Sequence, residues 1–127
     1  MKTIIKTAAA PAPIGPYNQA VRAGNTVYVS GQIALDPDTG ELLKGSIEDE
    51  TELVMKNLQA VLKAAGADFT NVVKSSIFVA DMGQFARINA VYGRYFEAET
   101  APARETVEVA NLPKYVNVEI SVIAVLA

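Results

Sequence analysis

The chain has 127 residues, half of them hydrophobic and a fifth charged, which fits one domain (residues 1–127) with a buried core. Its net charge of -3, from 14 acidic against 11 basic residues with no cluster of Lys or Arg, counts against a nucleic-acid surface. There is no cysteine and no histidine, so thiol nucleophiles, disulfides, Cys/His metal sites and serine–histidine triads are excluded.

General acids and bases must therefore come from Asp, Glu, Lys or Tyr, from bound water, or from the backbone. No apolar run reaches the roughly 18–20 residues that span a bilayer. The stretch from Met1 to Lys6 is too short and too interrupted for a signal peptide, so a cytoplasmic location is expected.

Thr3 to Lys6 reads as a short strand, followed by an Ala- and Pro-rich connection from Ala8 to Pro16. In Ile14-Gly15-Pro16-Tyr17 the Gly-Pro pair marks a fixed turn that sets the direction of Tyr17. The plainer reading of Tyr17 is a half-buried packing aromatic. Ala20 to Arg22 and Thr26 to Leu35 form a hairpin pattern about Gly24-Asn25. Period-2 alternation puts Val27, Val29, Gly31 and Ile33 on one face and Thr26, Tyr28, Ser30 and Gln32 on the other. A glycine inside a strand marks a bulge or a close approach, which singles out Ser30-Gly31-Gln32.

After the turn at Asp36–Gly40, a helix opens at Ser46, with Asp49 three residues on as in a capping box. Val54, Leu58, Val61, Leu62 and Ala65 recur at helical spacing and Gly66 closes the element. Val72 to Val79 is a strand. A second helix is expected from Asp81, with Gln84 as its partner and an apolar stripe of Phe85, Ile88, Tyr92 and Phe96. Asn89 falls on that stripe, where a buried amide must either tie down a neighbouring backbone or point at a site.

The last two strands run from Arg104 to Val109 and from Val116 to Leu126, with Leu112-Pro113-Lys114 as the loop between them. Arg104, Thr106 and Glu108 share one face of the first, and Asn117, Glu119 and Ser121 one face of the second. If these strands pair, an arginine and a carboxylate lie on one side of one sheet. Arg104 is a candidate anion binder through its guanidinium fork, or else a surface ion-pair partner of Glu105 or Glu108. Glu119, flanked by Val118 and Ile120, is either on the solvent face or partly buried and able to orient a water. Because Thr26–Gln32 and Arg104–Val109 interleave polar residues, the sheet is expected to be covered by both helices on one face only, with partner subunits on the other.

Ile14-Gly15-Pro16-Tyr17, Ser30-Gly31-Gln32-Ile33, Val79-Ala80-Asp81-Met82 with Phe85 and Asn89, Pro102-Ala103-Arg104, and Leu112-Pro113-Lys114 with Val118-Glu119-Ile120 together resemble the RidA (YjgF-like) family of reactive-intermediate deaminases, along nearly the whole chain. The resemblance implies an α+β, chorismate-mutase-like fold in which two helices pack on one face of a single mixed sheet. It also implies a homotrimer with a central barrel and three ligand clefts between subunits. The implied activity is hydrolysis of 2-iminobutanoate and 2-iminopropanoate to 2-keto acids and ammonia, with no cofactor and no metal.

By the same resemblance Arg104 corresponds to the carboxylate-binding arginine and Glu119 to the residue that positions the water. Tyr17, Ser30, Gly31 and Asn89 correspond to pocket-lining positions. Where many members have Ser-Cys after the arginine, this chain has Glu105-Thr106; the backbone N–H at Thr106 survives, and alternation sends Glu105 to the opposite face. A trimer that binds 2-keto acids or amino acids without turnover is the competing expectation.

Overall fold

Gly24 takes φ 60°, a left-handed conformation cheap only for glycine, and joins β2 (Ala20–Ala23) to β3 (Thr26–Gln32) in the computed structural model, which describes residues 1–127. β1 (Lys2–Ile5) lies antiparallel against the outer edge of β2. β6 (Val118–Val125) pairs antiparallel with β3 on one side and with β4 (Val72–Val79) on the other, while β5 (Ala103–Glu108) runs parallel to β4. The result is one mixed six-stranded sheet in the order β1-β2-β3-β6-β4-β5.

This order corrects one expectation. The Arg104 and Glu119 strands are not neighbours, because β4 lies between them. The reason is burial. Val118, Ile120, Val122 and Ala124 of β6 are almost completely withdrawn from solvent, as suits a strand paired on both edges, whereas β5 is exposed along nearly its whole length and takes the sheet's end.

The helices cover the face formed by those β6 residues. α1 (Ile47–Ala64) starts where Ser46 Oγ accepts a hydrogen bond from Asp49 N at 3.1 Å, and Gly66, at φ 79°, ends it as the periodicity predicts. Its Val54, Leu58, Val61 and Leu62 are fully buried.

α2 (Phe85–Tyr92) is shorter than its apolar stripe suggests. Asp81 caps a separate 3-10 turn, Met82–Gln84, by accepting from Gly83 N at 2.8 Å, and Phe96 lies beyond the helix. The Phe96 ring nonetheless packs 4.7 Å from Tyr92 and 5.3 Å from Phe69, so the stripe reports a packed surface more faithfully than a helix length.

β3 carries a bulge. Val29 pairs with Val122 but Gln32 with Ile120, three positions on one strand against two on the other. Strict alternation therefore fails after Val29. Gln32 is buried in the register that faces the helices, and Gly31 is separated from Val27 and Val29, turning instead to the uncovered face.

Glu50, buried on the first turns of α1, holds the entrance to β6. Its carboxylate accepts from Asn117 N and Asn117 Nδ2, both at 2.8 Å, and from Val118 N at 3.2 Å. Asn117 thus turns to the helix and does not share a face with Glu119. Hydrogen bonds to a charged group each contribute about 1.5–3 kcal/mol, and truncating the acceptor strands buried donors. Glu50→Ala is expected to lower stability by roughly 3 kcal/mol, with Glu50→Gln losing less. Denaturant midpoints at fixed protein concentration measure both.

Candidate functional site

The parallel register sets Arg104 beside Ser75 and Thr106 beside Ile77, so both side chains point to the helix-covered side at the sheet's open edge. There α2 meets them. Arg104 Nη1 donates to Asn89 Oδ1 at 2.7 Å, and the guanidinium carbon stands 5.0 Å from the Tyr92 ring centroid and 5.6 Å from that of Phe85. Tyr92 donates its hydroxyl to Ser75 Oγ at 2.8 Å, and burial, opposed by Ser75 and Arg104, holds its phenol above the ordinary value, so it stays neutral under the cation.

Asn89 is only partly buried, and its amide oxygen serves Arg104, not the backbone. Phe85 and Tyr92, read from sequence as core stripe, form the aromatic platform for the cation. Their spacing around Asn89 carried that signal.

Arg104 has no carboxylate partner. Glu105 points to the opposite face, where it pairs with Lys74 at 2.8 Å and accepts from Ser76, bonds that hold its carboxyl below the usual range. Glu108 accepts from Met82 N at 2.8 Å. The surface ion-pair reading of Arg104 is therefore excluded, and the remaining guanidinium N–H groups are free to receive an anion.

Glu119 pairs in register with Phe78, on the face away from the helices. Its carboxyl lies against the β3 bulge: a Cβ at Gly31 would come within 2.8 Å of Glu119 Cδ, so glycine is what permits the approach. Tyr17, Ser30, Gly31, Ile33, Pro113 and Glu119 line a hollow of about 370 Å³. Burial in it raises the Glu119 pKa above the ordinary carboxylate value, which makes the group a better proton acceptor and donor near neutral pH.

The rim of the hollow is held by side chains whose roles the sequence concealed. Ser30 Oγ donates to Asn18 O at 2.6 Å, and Ser30 N donates to Gln19 O at 2.9 Å. Buried Gln19 accepts from Thr7 N and donates to the carbonyls of Thr7, Ala10 and Pro11, which pins the Ala/Pro connection. Tyr17 follows from that anchoring. At 47% exposure it stands at the rim, not packed into the core, with its hydroxyl accepting from Ile14 N at 3.4 Å.

The seven candidate residues thus fall into two groups on opposite faces of the sheet. Arg104, Asn89 and Thr106 form one; Tyr17, Ser30, Gly31 and Glu119 form the other. The expectation that arginine and carboxylate share a side is overturned, because β4 separates their strands and places the two side chains in opposite phases of the pleat.

Comparison with known proteins agrees with this architecture. Residues 7–126 match the family model described as Endoribonuclease L-PSP. The chain is 47% identical to the mouse (Mus musculus) protein named 2-iminobutanoate/2-iminopropanoate deaminase, over 98% of this chain and 92% of that one. A solved chain from Thermotoga maritima MSB8 is 50% identical, with TM-score 0.96 over 100% of this chain and 99% of its own. E. coli TdcF, solved with bound serine, is 42% identical, with TM-score 0.92 over 98% and 99% of the two chains. The sheet with two helices on one face, the matched model and these relatives agree: the chain belongs to the RidA (YjgF-like, L-PSP) family.

Proposed function

We propose that this chain, acting as one domain, is a cofactor-independent hydrolase that converts reactive 2-imino acids, such as 2-iminobutanoate and 2-iminopropanoate, to 2-keto acids and ammonia in clefts shared by neighbouring copies of a homotrimer. One observation carries the reading. An arginine without an acid partner and a carboxylate of raised pKa lie on opposite faces of one sheet, so a single ligand meets both only if a second copy supplies one of them. Half-exposed Tyr28, with Ile4 and Val107, on the face away from the helices gives such a copy apolar surface to cover.

In this mechanism Arg104 holds the substrate carboxylate through its planar fork while Asn89 fixes the guanidinium and the Thr106 backbone N–H points at the ligand. Glu119 of the neighbouring copy takes a proton from a water as the oxygen attacks the imine carbon. That proton passes to nitrogen to give the carbinolamine; Glu119 then takes the carbinolamine hydroxyl proton and delivers it to the same nitrogen, so that the C–N bond breaks, ammonia leaves and the carbonyl forms. Orientation and a proton path are what the protein adds, since imines already hydrolyse in water. Such an enzyme would act in the cytoplasm and clear damaging intermediates of amino-acid metabolism. The net charge of -3 without a basic cluster counts against the nuclease activity that the family model's name suggests.

A second reading is favoured by the serine held in TdcF: a trimer that binds amino acids or 2-keto acids without turnover. Ammonia release from 2-iminobutanoate generated in place by a threonine dehydratase separates the two.

Three outcomes are expected in that assay. Arg104→Ala loses at least about tenfold in rate, with Arg104→Lys intermediate because it keeps charge but not the fork. Glu119→Gln loses turnover while 2-ketobutyrate binding largely persists. When the Arg104→Ala and Glu119→Gln proteins are mixed one to one and allowed to exchange subunits, about a quarter of the sites of a heterologous ring regain both groups, so activity returns. Failure of the mixture to recover would place both groups in one subunit's site or remove one of them from the chemistry.

The pH profile gives a further check. A general base works as the carboxylate, so kcat/KM should fall as pH drops through the Glu119 pKa. That midpoint should lie above the ordinary carboxylate value, because burial favours the neutral form. An acid limb centred at or below the ordinary value would mean that a different group titrates.

A further inference from the structure

Phe85 and Asn89 stand four residues apart on α2 and meet Arg104 together, whereas Arg87 lies two residues from each. At 3.6 residues per turn its side chain leaves the helix roughly 200° from theirs, on the opposite side. There it meets the first turn of α1. Arg87 Nε donates to Glu48 Oε2 at 2.8 Å and Nη2 donates to Glu48 Oε1 at 2.7 Å, the two-point geometry of a guanidinium fork on a carboxylate.

Glu48 is well placed to receive the fork. It belongs to the first turn of α1, where a helix N-terminus favours an anion. The Arg87 bonds, ahead of its own backbone N–H, hold its carboxyl down to about 2, so the pair stays charged at every pH where Glu119 could act as a base.

α2 needs such a support for its orientation. At eight residues it is shorter than helices that persist in water alone, and Gln84 gives it no side-chain cap. Its buried residues, Ile88, Val91 and Tyr92, lie in its later part, while Phe85, Ala86 and Arg87 are exposed. Glu108 holds Met82 N–H ahead of the helix, and Tyr95 donates to Glu52 beyond its end. Between those ties the first turn is held to α1 by the Arg87 fork. An exposed ion pair adds little to stability, but a two-point one fixes direction.

We propose that Glu48 and Arg87 are positioning residues for the anion site: their fork sets the roll of α2, which keeps Phe85 and Asn89 against Arg104 and so holds its guanidinium in one orientation for a carboxylate. This rests on the reading of Arg104 as the carboxylate site and adds residues on the far side of the helix that act through Asn89.

Arg87→Ala and Glu48→Ala, singly and together, are the test, with Arg87→Ala also made in an Asn89→Ala background. Binding of 2-ketobutyrate is measured by calorimetry, alongside KM and kcat for 2-iminobutanoate. Rotation of the ligand-free Arg104 guanidinium is read from its N–H signals by NMR. Each single variant is expected to melt close to wild type, to bind 2-ketobutyrate about fivefold more weakly, and to raise KM by a similar factor with kcat nearly unchanged. The double variant should lose no more than either single one, because both remove the same fork. Arg104 should rotate faster in all three, and Arg87→Ala should cost nothing further once Asn89 is gone.

Wild-type affinity with wild-type Arg104 rotation in the single variants overturns the proposal. A full further loss on top of Asn89→Ala does so too, since Arg87 would then act by another route. The NMR readout needs no ligand, which separates this inference from the deaminase reading. If wild type releases no ammonia yet Arg104 rotates faster without Arg87, deamination fails and the positioning role stands. If turnover is robust and Arg104 is indifferent to Arg87, the reverse holds.

Discussion

Everything in the candidate site depends on alternation along β6. It is paired on both edges, by β3 and β4, and roofed on one face by the helices, so its side chains must divide cleanly between core and open face. Val118, Ile120, Val122 and Ala124 take the core positions, which leaves Glu119 no alternative but the opposite side. A slip of one residue would bury a carboxylate under α1 and expose four apolar groups. The Glu50 carboxylate guards against that slip at the point where it would begin, because Asn117 N and Val118 N are both bound to it. Glu50 therefore shapes the site without touching it.

Local elements were legible because their causes are local. Ser46 with Asp49 and the apolar periodicity up to Gly66 describe α1 almost to the residue, and Gly24-Asn25 marks the hairpin. Strand order was not legible in this way. Leu112-Pro113-Lys114 has hairpin-loop composition, yet β5 reaches β4 by a parallel crossover through α2, a long-range choice driven by which strand must be covered on both edges. The bulge in β3 escaped strict alternation for a related reason. Gly31 hinted at it, but the phase change becomes visible only when β3 is set against β6 and Val29 and Gln32 are seen to share a phase.

For the site, Arg104 stood out by chemistry, and Glu119 by its isolation among apolar neighbours; their likeness to a known family made the reading concrete. What stayed hidden were the residues that position others. Glu50 falls four before Val54, on the apolar stripe of α1, and Asn57 falls three after it. Polar groups on a buried face demand partners, and that was the available signal. Asn57 holds the carbonyls of Ile33 and Leu35 at 3.1 and 3.0 Å, so it fixes the chain leaving the bulge, as Gln19 fixes the chain approaching Tyr17. Which partner each would find is a tertiary matter that no spacing encodes.

β5 shows how one strand meets two opposed demands. As the last strand of the sheet it presents an unpaired backbone edge, which invites pairing with other chains. Its charges oppose uncontrolled extension: Arg104, Glu105 and Glu108 occupy half of a six-residue strand, and Pro102 stands immediately before it. Were all three charges equivalent, the edge would simply be protected. They are not, since Glu105 and Glu108 are satisfied by Lys74, Ser76 and the Met82 N–H, while Arg104 is held in place by a neutral amide and two aromatic faces. Its positive charge is thereby positioned without being neutralised. Pairing it with a protein carboxylate would protect the edge equally well but would oblige an incoming anion to displace a competitor. A neutral amide orients the fork and leaves its charge available, so the same edge can resist strand addition and still present an unneutralised cation.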